Sequence, residues 1–276
     1  MNFCRAKTIL IFLFMIINLF LVGYIFATSN DITVPDNKTV STTIEILKSR
    51  NIYLNEKINL SSGEKINNLN LTAATKDEKV FATKLLGSFK AKNNTYIGDN
   101  GELTVKNGSF VLNYKDNHFF SEFNAKNVKK YAIKFLKDHE IDTSVLKVTD
   151  VSLVNGNYRV TFSHFFLDKE LFNLKTYVYL SGGGVYKIEG NIFSLEFLSG
   201  SEQRSNQITV LLNYSAAKDT PEKVEISEIN SGYYCENNPE DFKSLSAQPC
   251  FEIVFKNGEK LYFDAFSSQP IKKAHN

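Results

Sequence analysis

The residues able to do acid–base, metal or nucleophilic chemistry are few, and they are scattered. His118, His139, His164 and His275 are the four histidines, and no two of them stand at metal-ligand spacing. No H-E-x-x-H and no paired-cysteine zinc pattern occurs. His164, inside the run TFSHFF, is a candidate base, but no acid or nucleophile pattern accompanies it; a hydrogen-bonded strand histidine is the plainer reading. Glu252 and Asp264 could act as paired carboxylates across the last hairpin, although such strand residues face solvent by default. Gly182-Gly183-Gly184 is followed by Val185-Tyr186-Lys187 and a strand rather than a helix, so it reads as a hairpin turn and not a phosphate cradle. Ser181 beside it lacks a nucleophile elbow. These patterns predict a binding protein, with no catalytic residues, no metal and no cofactor.

The cysteines leave two readings open. Cys4 lies at the very start, whereas Cys235 and Cys250 lie far along the chain. If that part is exported to an oxidising compartment, the latter pair either closes a disulfide or remains two half-buried thiols.

Residues 9–27 (ILIFLFMIINLFLVGYIFA) must position everything that follows. They carry no charge, and at about 1.5 Å of rise per residue they approach the ~30 Å hydrocarbon core of a bilayer. A long uncleaved anchor fits better than a signal peptide, because the run stays dense in Phe, Ile and Leu to its end. Arg5 and Lys7 precede it and Asp31 and Asp36 follow, which predicts a cytoplasmic N-terminus and an exported remainder. Asn18 is its one strongly polar residue. Phe14, Asn18, Leu21 and Val22 are predicted to form a face that docks onto other transmembrane helices, since a side-chain amide in hydrocarbon seeks partners.

Formal charges total 32 basic against 30 acidic, with Arg5 and Lys7 supplying the difference, so the exported part is neutral. A nucleic-acid surface needs a basic excess, and this chain has none. The expected organisation is a cytoplasmic N-terminus (1–8), a transmembrane helix (9–27), a tether (28–40) and two exported α+β lobes (41–123 and 124–276).

Within the lobes a pattern repeats. A first helix is expected over 42–51, with a cap near Ser41, and extended segments over 52–60 and 67–73. Thr75 and Glu78 form a capping box for a helix ending at Gly87, followed by strands at 94–97, 103–106 and 109–114. A second round begins with a helix at Asn124, with strands at 145–154, 158–166, 172–180, 184–189 and 193–197. A third round has a helix over 205–217, with strands at 223–227, 233–235, 250–256 and 259–265. Asn107-Gly108, Asn155-Gly156 and Asn257-Gly258 mark hairpins. The fold class is therefore α+β: a single N-terminal transmembrane helix, then repeated helix plus antiparallel meander units with the helices on one face of each sheet.

Three stretches carry a family resemblance. AKTILIFLFMIINLFLVGYIF, RVTFSHFFLDKELFNLKTYVYLSGGGVYKIEG, and EKVEISEINSGYY with PCFEIVFKNGEKLYFDAFSSQPI resemble the YycI (WalI) family. The chain departs from the family's pattern at Phe251, where Trp is usual, and at Asp264-Ala265-Phe266-Ser267, where Asn-Ala and a glycine turn are usual. The resemblance implies a bitopic, non-enzymatic regulator that binds the WalK sensor histidine kinase through transmembrane helices. It acts with a YycH-like single-pass partner, in the two-component system governing cell-wall homeostasis. The last hairpin is also similar to PepSY-type modules, which implies as the alternative an exported inhibitor or chaperone of an extracytoplasmic peptidase.

Overall fold

A computed structural model describes residues 11, 13–21, 35–60, 62–66, 69–73, 78–116, 118–197, 203–218, 222–235 and 244–271. The fold mixes helix and sheet. In chain order come α1 (Asn37–Ser49), β1 (Ile52–Leu54), β2 (Ser62–Ile66) and β3 (Leu69–Ala73). Next are α2 (Glu78–Leu86), β4 (Phe89–Lys92), β5 (Thr95–Gly98), β6 (Gly101–Lys106) and β7 (Ser109–Tyr114). Then follow α3 (Ala125–Asp138), β8 (Leu146–Val154), β9 (Asn157–Phe166), β10 (Lys169–Ser181), β11 (Gly184–Asn191) and β12 (Phe193–Phe197). The described part closes with β13 (Gln203–Asn206), α4 (Gln207–Ala217), β14 (Val224–Cys235), β15 (Ser244–Phe255) and β16 (Lys260–Asp264).

Local chemistry sets most boundaries. Asn124 caps α3 by accepting a hydrogen bond from the Asn127 amide at 3.0 Å. Gly87 ends α2 at φ +68°, where its amide reaches the Thr83 carbonyl. The Asn107-Gly108 and Asn155-Gly156 turns have positive φ at both residues, the backbone that matches the twist of a two-residue hairpin. α1 starts earlier than its periodicity suggests: Asp36, not Ser41, is the cap, and its carboxylate accepts from the Lys38 and Thr39 amides. The proposed cap at Thr75 lies outside the described residues.

Fourteen strands join in one sheet, and β2 pairs with β13 in a second. The main sheet forks at β10. β9 pairs antiparallel with both halves of β10, along one edge. On the other edge β14 pairs in parallel at Glu170 and Leu171, while β11 pairs antiparallel from Tyr177 to Ser181. The gap between the two branches holds Asn173. Its side chain donates to the Cys235 carbonyl at 2.8 Å and accepts from the Cys235 amide at 3.0 Å, replacing a rung of the ladder.

Leu171 lies opposite both His164 of β9 and Tyr233 of β14, so the branches share a common face. Helices α1 to α4 pack on it. α2 and α3 cover Leu103, Phe110, Leu112, Phe162, Val178 and Ile188, whereas α1 and α4 cover Ile226, Phe251, Ile253 and Phe263. A smaller cluster around Leu69, Leu171, Leu174 and Tyr233 lies between them.

A lobe boundary at 123/124 does not survive. β7 pairs with β11, and α2 shares a core with α3, so residues 78–191 form one unit. Residues 37–73 instead join the C-terminal strands, with β1 beside β14 and β3 beside β15.

Before α1, residues 11 and 13–21 are helical. Among the described residues, no helix is long and apolar enough to cross a membrane. The remainder of the expected span over 9–27 lies outside the described residues.

Candidate functional site

Alternate residues on the same strands build the face that, among the described residues, no helix covers. On the first branch this face carries Arg159 from β9, Tyr177 and Tyr179 from β10, and Lys187 and Glu189 from β11, aligned by the registers Tyr177 to Glu189 and Tyr179 to Lys187 and Arg159. Tyr179 donates its hydroxyl to Glu189 at 2.6 Å, and Lys187 forms an ion pair with the same carboxylate. The Arg159 guanidinium lies 5.4 Å from the centroid of Tyr177. Burial opposes ionisation of Glu189, but the Lys187 and Tyr179 contacts outweigh it and hold the carboxyl below its usual range. Burial first, and then Glu189, raise Tyr179 above the ordinary phenol value.

At the fork, Lys175 donates to Ser163 Oγ at 2.7 Å and pairs with Glu170. Beside it a cavity of about 430 Å³ opens, lined by Thr104, Lys106, Ser109, Val111, Lys175, Tyr177, Glu189 and Asn191.

On the second branch the same face holds Glu252, only 3 % exposed. Its carboxylate accepts from Lys260 Nζ at 2.8 Å, Tyr262 Oη at 3.2 Å and Asn230 Nδ2 at 3.2 Å. Three donors answer the cost of burying this charge. Gly232 leaves room for the Phe172 ring, since a Cβ there would sit 2.7 Å from ring carbons. That ring lies 5.7 Å from Tyr262, which is also near Tyr234. A second cavity, of about 700 Å³, lies towards the end of this branch. In its lining Lys223 and Lys256 both pair with Glu225, and they lower its carboxyl to about 2.

No family model matches the sequence, and no curated protein does. Two solved structures are similar in outline. A crystal structure of an uncharacterized protein from Eubacterium rectale aligns with TM-score 0.46 and 12 % identity, over 79 % of this chain and 91 % of that one. The Bacillus megaterium YpeB C-terminal domain aligns with TM-score 0.42 and 11 % identity, over 76 % and 97 %. Likenesses this distant carry no argument about function.

The sequence candidates fall in different places. Phe14, Asn18 and Leu21 share one stripe of the N-terminal helix, and Val22 lies outside the described residues. Asn18 donates its amide to the Phe14 carbonyl, one turn back, at 2.9 Å. Cys235 and Cys250 are both free and buried, so the disulfide reading is corrected. The register explains why: Cys235 faces Ala247 and Cys250 faces Gly232, three positions apart along the ladder and on opposite faces of the sheet. Burial pushes the Cys235 thiol up to about 12, and burial with Glu252 and Asp264 pushes Cys250 well above its ordinary value.

Glu252 and Asp264 lie diagonally across β15 and β16, but they do not work as a carboxylate pair. Asp264 is occupied by the amides of Phe266 and Ser267 and by the Ser267 hydroxyl. His164 is buried on the helix-covered face, where its Nε2 meets Thr176 Oγ1 at 3.0 Å. Its Nδ1 has no partner among the described residues. Burial, assisted by Lys175, lowers its pKa to about 4, so it stays neutral near pH 7. The Tyr179–Glu189 and Glu252 networks were missed in the sequence, although the alternation of Lys175, Tyr177 and Tyr179 with Leu174, Thr176, Val178 and Leu180 was a signal for a two-faced strand.

Proposed function

We propose that the protein is a membrane-anchored, non-enzymatic regulator of a sensor histidine kinase. Its N-terminal helix sits in the bilayer among partner helices, with the N-terminus cytoplasmic and the sheet domain outside. A YycH-like single-pass protein is the expected second partner, from the sequence resemblance. One observation carries the reading. Ile11, Leu13, Phe14, Met15, Ile16, Ile17, Leu19, Phe20 and Leu21 are each at least 48 % exposed on the described helix. A continuous apolar surface of that kind calls for hydrocarbon or partner helices, at roughly 25 cal/mol for each Å² covered. Asn18 sharpens it. Its amide is satisfied within the helix, whereas its carbonyl oxygen has no partner among the described residues and suits a donor from a neighbouring helix.

The test is purification of the tagged full chain from mildly solubilised membranes of its native host, beside Asn18→Leu. A histidine kinase that co-purifies with wild type, and falls several-fold in the variant while membrane insertion is unchanged, is the expected result. Equal recovery of the kinase with both removes the docking stripe. No kinase with wild type removes the regulatory reading, and a peptidase recovered in its place would favour the alternative.

A further inference from the structure

The helix layer is charged differently from the rest of the chain. Across α1 to α4 stand nine lysines but three carboxylates, Glu45, Glu78 and Asp138. The chain beyond residue 8 is formally neutral, so its remainder carries the matching acidic excess. Five of the nine lysines are on α3 alone. Lys126, Lys130, Lys134 and Lys137 recur at helical spacing, Lys129 lies beside them, and all five are exposed. The opposite side of α3 lies in the core through Val128, Ala132, Phe135 and Leu136.

The acidic groups nearby do not cancel this charge. Asp138 pairs with Lys134, Glu140 pairs with Lys84 of α2, and Glu122 accepts from Asn124. Lys126, Lys129, Lys130 and Lys137 have no carboxylate partner among the described residues. Solubility alone is served by mixed signs, and like charges four residues apart oppose the helix that carries them. One sign held along a whole face fits an extended anionic surface.

The anchor brings one such surface within reach. α1 lies in the same layer as α3, and the fifteen residues between Leu21 and Asn37 span at most about 50 Å. Where the N-terminal helix is held in a bilayer, the helix layer is therefore confined beside lipid headgroups at high effective concentration. We propose that the lysine face of α3 binds the bilayer surface through anionic lipid headgroups. This lays the helix layer against the membrane and turns the tyrosine- and carboxylate-bearing face of the sheet away from it. The apolar side of α3 is already packed, so the contact is electrostatic adsorption and not insertion. The inference rests on the anchored reading of the N-terminal helix given above.

Lysine acetylation read by peptide mass spectrometry tests it, on the full chain in lipid nanodiscs of phosphatidylcholine alone or with about one-third phosphatidylglycerol. In anionic discs Lys126, Lys129, Lys130 and Lys137 should react at least about fivefold more slowly than in neutral discs, and about 0.5 M salt should restore the rate. Lys90 and Lys92 alternate with the core-packed Phe89 and point to the other face, so they should react equally in both. Lys130→Glu with Lys137→Glu changes only exposed residues, so it should keep the wild-type melting temperature and return the remaining α3 lysines towards the neutral-disc rate. Equal rates in the two kinds of disc overturn the proposal while leaving the anchor in place. Protection already present in neutral discs assigns the face to another protein surface, an acidic partner or a second copy, and overturns it too. A chain that enters neither disc removes the anchored reading, and this inference with it.

Discussion

On β10, Val178 and Leu180 point into the helices while Tyr177 and Tyr179 point away from them. The two faces of the sheet are made by the same strands, offset by one residue, and they solve different problems. The helix-covered face closes a water-free core of Leu, Val, Ile and Phe, where stability comes from area and packing. The other face is tyrosine-rich and charged, and it is held by directed bonds: Tyr179 to Glu189, Lys175 to Ser163, and Lys260, Tyr262 and Asn230 to Glu252. Order on the second face does not require full burial. A face built this way owes its order to particular partners, so single polar substitutions test it, whereas the opposite face is tested by changes in buried volume.

Substitutions can break that contrast, beginning with the largest effect. Phe162 is fully buried among the helices, so Phe162→Ala should cost about 3–5 kcal/mol in chemical denaturation. His164 is a polar intruder on the apolar face, and it should make stability depend on pH. Its folded pKa is about 4 and its unfolded value about 6.5. The unfolded chain therefore takes up the proton first as pH falls, and stability drops from about pH 6.5 down to pH 4. The total is on the order of 3 kcal/mol, absent above that window. Melting curves should show this slope in wild type, and His164→Gln should flatten it; an unchanged slope would mean that another group carries the effect.

Smaller effects sharpen the other side. Lys260→Met leaves the buried Glu252 carboxylate with two neutral donors, so a loss of about 2 kcal/mol is expected in urea titrations. Tyr179→Phe removes a single hydroxyl from the open face and should cost about 1 kcal/mol. If Tyr179→Phe costs as much as Phe162→Ala, the distinction between the faces fails. For the cysteines, alkylation of the native protein at pH 8 should spare Cys235 and Cys250, and alkylation after denaturation without reductant should reach both.

Where local chemistry fixes the backbone, the sequence was a sound guide. Asn107-Gly108 and Asn155-Gly156 make the expected hairpins, Asn124 caps α3, and the helix-then-meander order recurs from α2 to β16. The misses have physical causes. β4, reading Phe-Lys-Ala-Lys, is too short and too charged to show a strand pattern, and its lysines suit an edge. The segments at 223–227 and 233–235 are one strand, β14, because the polar stretch between them is paired: Asn230 meets Glu252, and Gly232 admits the Phe172 ring. The burial of Glu252 and the fork at β10 depend on partners distant in sequence, so no local pattern announces them. The stripe of Phe14, Asn18 and Leu21 was legible from helical spacing, whereas the carboxylate, amide and tyrosine groups of the other face emerge only once the register is known.

The pairing of residues 37–73 with the C-terminal strands sets an order of assembly. Leu47 and Ile52 share their core with Val210, Leu211, Phe251, Ile253 and Phe263, so α1 gains its companions only when the C-terminal third arrives, and the full set only with the last strands. The unit spanning 78–191 has its helices and strands to hand and can close while the chain is still growing. In a vectorial process such as secretion, the leading segment must wait, with its apolar side uncovered, for the far end of the molecule. That interval is when a folding helper would find its binding surface and when truncation of the last hairpin would do the most damage.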